Sequence, residues 1–128
     1  MDTSLKKTLE TDENGLQAYE YIANNIANGS SQIDHEMPAL VDHMIACDRT
    51  GQFVVSTARY LHAVDSEKYA SAIDMLVKAA IAKDRERVYL GDLAASLWGS
   101  DYREHATELS ASDDNFRRIY KRLYPVGI

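Results

Sequence analysis

The side chains in this sequence best suited to binding chemistry are four cations near its end: Arg117, Arg118, Lys121 and Arg122. At 100° per residue they share one arc of a helix, opposite Phe116, Ile119, Tyr120 and Leu123, with no acid between them. Guanidinium and ammonium groups in such a row can grip phosphates or a carboxylate-rich surface. The row also has an ordinary explanation, because cations near a helix C-terminus offset the negative end of its dipole. Close by, Trp98 and Tyr102 flank Gly99-Ser100, where an aromatic corner either packs a bend between helices or anchors a partner.

A second constellation has the residue types of a metal site. Asp101, His105 and Glu108 fall at i, i+4 and i+7 on one helical face, and Glu36 and His43 lie seven apart on another. Two such clusters on facing helices would hold a divalent metal as in di-iron bundles, although the paired Glu-x-x-His signature is missing. The plainer explanation for His105 is a surface residue in local ion pairs. Cys47 stands one turn from His43, which invites a thiolate-imidazole pair. Against that, Cys47 is near a helix C-terminus, is followed by Asp48, and shares helical phase with Leu40 and Met44, which fits a small core residue. The chain has no glycine-rich phosphate loop, serine-nucleophile motif or paired cysteines, so no cofactor is expected.

Nucleic acid is the remaining class of ligand. Helices at about 86–98, 101–109 and 113–124, the last two separated by Ser110-Ala111-Ser112, have the joint of a helix-turn-helix. The charges oppose it. A reader helix would present Asp113 and Asp114 at its N-terminus, and the other register, Asp101 to Glu108, has three acids against Arg103.

These side chains need helices to position them, and the apolar spacing supplies helices almost throughout. The pattern predicts a short, frayed helix over 1–12, then one from Asn14 to Asn28, where Asn28-Gly29 is a left-handed stop. The next helix starts between Asp34 and Met37, because proline is tolerated only in a first turn and Pro38 must fall there. It runs to Arg49. Phe53 to Thr57 is β-branched enough for a strand, but no second strand exists to pair with it, and Phe53, Thr57, Tyr60, Leu61 and Val64 fit a helix. Tyr69, Ala72, Ile73, Leu76, Val77 and Ala80 form the clearest buried stripe. Asp84 is placed to cap the helix that carries Leu90, Leu93, Ala94 and Leu97, and Ser112 to cap the last one. No internal repeat is evident, and residues 125–128 read as a short tail.

The composition, 45% hydrophobic and 27% charged, belongs to a globular protein, and 128 residues make one domain. The net charge of −6 lies wholly in residues 1–66, which hold four Lys/Arg against ten Asp/Glu, while residues 67–128 hold ten of each. General attraction to nucleic acid or to an anionic membrane is therefore not expected. A lone cysteine, no secretory leader and no bilayer-length apolar run imply a cytoplasmic protein. The sequence thus implies a single all-α domain, 1–128, of six or seven helices. Its expected role is a non-catalytic interaction module that meets an acidic protein surface through the basic final helix. A helix-turn-helix-like DNA-binding protein is the alternative, and a metal-dependent helical-bundle enzyme the third reading.

Overall fold

The structure, a computed structural model, describes residues 3–125. Those residues form eight α-helices and a short 3-10 helix, with no strand among them. The helices are α1 Thr3–Thr11, α2 Leu16–Ala27, α3 Gln32–Cys47, α4 Gln52–Asp65, α5 Ala70–Lys83, α6 Leu90–Trp98, α7 Ala106–Ser112 and α8 Asp114–Leu123, with the 3-10 turn Tyr102–His105 before α7. The all-α expectation holds, and Phe53 to Thr57 is helical. The count is higher than six or seven because α1 is a formed helix whose Leu5 is buried. Beyond Pro125 the expected tail lies outside the described residues.

Consecutive helices pair as hairpins, and the hairpins stack. One layer holds α2, α4 and α6 side by side, and the other holds α3, α5 and α8. The side chains meeting between the layers are fully buried, among them Ile22, Leu40, Met44, Leu61, Leu76, Leu93, Phe116 and Ile119. At one end α1 packs on α2 and α3; at the other α7 packs on α8. No helix among the described residues is long and apolar enough to cross a membrane.

Two helix starts differ from expectation. Helix α3 begins at Gln32, so Pro38 lies well inside it. The carbonyl of Asp34 consequently has no amide at residue 38 to accept from. Burial of Ile33 and Met37 against the core holds the turn before the proline, since helices in proteins owe more to packing than to propensity. The last helix is capped by Asp113, whose carboxylate accepts from the amides of Asn115 and Phe116, whereas the hydroxyl of Ser112 turns back to the carbonyls of Glu108 and Leu109.

The connections between hairpins repeat one device. Asp12, Asp48 and Asp84, spaced by equal steps of 36 residues, are each buried at the junction between one helix and the next. Asp12 accepts from the amides of Gly15, Gln17 and Ala18. Asp48 accepts from those of Thr50, Gly51, Phe53 and Val54. Asp84 accepts from those of Val88, Tyr89 and Leu90. In all three the fifth and sixth residues onward donate, so one carboxylate satisfies the first amides of the following helix from across a loop. The third residue onward has positive φ each time: Gly15 at 101°, Gly51 at 92° and Arg87 at 60°. The same step relates Leu40-Val41 to Leu76-Val77 and Ile45-Ala46 to Ile81-Ala82. The chain therefore contains an internal structural repeat that its sparse identities conceal.

Candidate functional site

The four cations of the final helix separate into different environments. Arg122 is drawn inward: Nη1 donates to the carbonyl of Ile81 at 2.7 Å and Nη2 to that of Asp84 at 3.1 Å. These are carbonyls at the end of α5, which a guanidinium fork satisfies while meeting the negative end of the helix dipole. Arg117 is exposed but paired with Asp114, Nη2 to Oδ1 at 2.6 Å, and that contact holds the Asp114 carboxyl below its ordinary range. Arg118 and Lys121 remain exposed, with no ion pair among the described residues.

The aromatic corner is packed rather than presented. Trp98 is half-buried with its ring edge-on to Phe116, centroids 5.1 Å apart. Tyr102 is buried, edge-on to Phe116 and Tyr120, and its hydroxyl lies 2.9 Å from that of Tyr124. Burial and then the hydrogen bond to Tyr124 push the Tyr102 phenol up to about 12. Tyr102 is thus a core residue of the α6–α8 corner and offers no free ring, and Arg103 stacks over the Tyr124 ring at 4.0 Å.

Among the described residues, no group of three ligands joins the two metal clusters read from spacing. His105 is near Asp101, Nε2 to Oδ2 at 3.3 Å, and its Nδ1 is 3.7 Å from Glu108. The three-ligand group formed there, however, is Asp101, Glu104 and His105, all exposed. Residues 102–105 form a 3-10 helix, in which positions three apart eclipse, so Glu104 rather than Glu108 comes up beside Asp101. On α3, Glu36 and His43 part company. Glu36 accepts from the hydroxyl of Tyr21 at 2.8 Å, while His43 turns to the loop before α2.

There His43 meets a partner that spacing along α3 did not reveal. Its Nε2 is 3.0 Å from Asp12 Oδ2 and 3.5 Å from Cys47 Sγ. Asp12 is fixed by the backbone amides it caps, and His43 and Cys47 are brought together by their i, i+4 spacing. Cys47 is not a core residue; it is partly exposed and lines a cleft of about 550 Å³ with Glu13, Asn14, Arg49, Thr50 and Phe53. Burial, then the charges of Asp12 and Asp48, push its thiol upward, so it is protonated near neutral pH and poorly suited to nucleophilic attack.

Among the described residues, the helices fall differently from the two helix-turn-helix registers read from the sequence. Ser110, Ala111 and Ser112 belong to α7, leaving Asp113 alone as the joint to α8, and the other reader, 101–109, is split between the 3-10 turn and α7. Comparison with protein-family models, with curated proteins and with solved structures finds no match to this chain.

Proposed function

We propose that this chain is a non-catalytic binding protein whose stacked hairpins carry a cationic edge for an acidic surface of a protein partner. The observation that carries this reading is the seat of Arg122 on the end of α5. That contact lays the last turn of α8 against the segment bearing Arg85 and Arg87. Arg85, Arg87, Arg118 and Lys121 are all exposed, and none is in an ion pair among the described residues. Two basic segments distant in sequence thereby come together at one edge, in a chain whose net negative charge comes from residues 1–66. A lone thiol suits the reducing cytoplasm as the place of action. The DNA-binding alternative is disfavoured by the single-residue joint at Asp113 and by the acids Asp113 and Asp114 at the start of α8. The enzyme reading loses its paired clusters.

The test is an affinity pull-down comparing wild type with a variant carrying Arg85→Glu, Arg87→Glu, Arg118→Glu and Lys121→Glu, with Arg122 left in place. Wild type retains a protein that resists nuclease and is released by salt, as exposed charge pairs should be, and the variant retains none. Equal retention by both would discard the edge, and retention that disappears with nuclease would restore the nucleic-acid reading.

A further inference from the structure

We propose that Asp12, His43 and Cys47 form a binding site for a single zinc-like divalent metal ion, with a fourth coordination position turned toward the cleft beside Cys47. The three side chains supply one oxygen, one nitrogen and one sulfur, all within 4.8 Å of one another. Such a mixed set suits zinc, which takes carboxylate, imidazole and thiolate together in tetrahedral geometry. The spacing fits as well as the chemistry. Bonds of about 2.0 Å to nitrogen and 2.3 Å to sulfur at a tetrahedral angle place those two atoms about 3.5 Å apart. His43 Nε2 and Cys47 Sγ are 3.5 Å apart.

A second observation separates this cluster from the needs of the fold. The turn begun by Asp48 accepts from the third, fifth and sixth amides onward, as the turn begun by Asp12 does. Thirty-six residues beyond His43 and Cys47, however, stand Ala79 and Lys83. Asp48 therefore completes the same cap without an imidazole or a thiol, so capping does not explain why His43 and Cys47 converge on Asp12. Nor does binding require the cap to be given up. Oδ1 of Asp12 holds the amides of Gly15 and Gln17, and Oδ2, which accepts from Ala18 at 3.2 Å, keeps a lone pair for the metal.

Binding exchanges protons in a defined way. The thiol of Cys47 releases its proton to solvent as the metal–sulfur bond forms, and His43 carries its proton on Nδ1 so that Nε2 can bind. The carboxylate of Asp12 is buried, its side chain only 1% exposed, and Asp48 adds a second buried acid nearby, so a cation gains from the local field. Three protein ligands leave one position for water or a donor from outside, and Cys47 is the ligand that reaches the cleft.

The experiment uses the full chain without a histidine tag, stripped with chelator, and titrated first with Co2+ and then with Zn2+. One equivalent of Co2+ should bind and give the intense thiolate-to-metal charge-transfer absorption, which Zn2+ then displaces. His43→Ala and Cys47→Ser, both folded by circular dichroism, should lose affinity by at least the roughly 10- to 100-fold seen on removing even an outer-shell partner. Cys47→Ser should abolish the absorption band, and His105→Ala should change nothing. Cobalt bound without the band, undiminished binding by His43→Ala, loss of binding in His105→Ala, or no stoichiometric binding would each overturn the assignment.

Discussion

The turn begun by Asp48 and the turn begun by Asp84 solve one problem with different residues. Each must end a helix of one hairpin, reverse the chain and satisfy the first amides of the next helix, and each does so with a buried aspartate reaching five and six residues onward. At the third position, where the backbone must take positive φ, one turn has Gly51 and the other has Arg87. Glycine enters that region without steric cost, whereas an L-residue does not. The aspartate is therefore the fixed part of the device and the left-handed residue the negotiable part. By the same logic, His43 and Cys47 beside the Asp12 turn are additions that the device does not require.

Removing the fixed part should have the largest effect. Asp48→Ala leaves the buried amides of Gly51 and Val54 unpaired, and each such group costs about 1–3 kcal/mol. A loss of about 3 kcal/mol in urea unfolding is expected, with a comparable loss for Asp84→Ala, and a loss below about 1 kcal/mol in either would break the equivalence. The negotiable position should respond with opposite signs. Gly51→Ala forces a Cβ into φ 92°, 3.4 Å from the Asp84 Cβ, and should cost about 1–2 kcal/mol, while Arg87→Gly should stabilise by about 1 kcal/mol. Matching signs would mean the two turns are not under the same constraint.

Two smaller effects sharpen the contrast between anchored and free groups at the C-terminal end. Arg122→Ala should cost about 1–2 kcal/mol by releasing two charge-assisted hydrogen bonds. Arg118→Ala and Lys121→Ala should remain within about 0.5 kcal/mol of wild type, as expected for exposed positions. The smallest effect concerns alkaline pH. The Tyr102 phenol is raised in the fold to about 12, so the native state holds its proton more tightly than the unfolded chain does. Its contribution to stability is complete below the ordinary tyrosine range and is lost as pH rises through the folded value. Tyr102→Phe should therefore flatten the fall in stability above about pH 10, and an unchanged alkaline limb would show that Tyr102 is not the group responsible.

Much of the architecture was legible along the chain. The apolar stripe through Ile73, Leu76, Val77 and Ala80, the left-handed stop at Gly29 and the capping role of Asp84 all depend on contacts within one or two turns. The repeat was less visible because Asp12, Asp48 and Asp84 lie in connections rather than in the apolar pattern. Comparing the sequence with itself at an offset of 36 would have aligned them. Pro38 misplaced the start of α3 because a local penalty was outweighed by the burial of Ile33 and Met37.

The sequence by itself determined an all-helical chain, since helical periodicity is a property of neighbouring residues. It also determined which residue types could bind a metal or an acidic surface. Only the tertiary structure decided which of them meet. Arg122 reached back to Ile81 and Asp84, Tyr102 became core, and His43 found Asp12 rather than Glu36. The physical reason is that helix phase fixes where a side chain leaves its own helix, while its partner is fixed by the stacking of hairpins many residues apart.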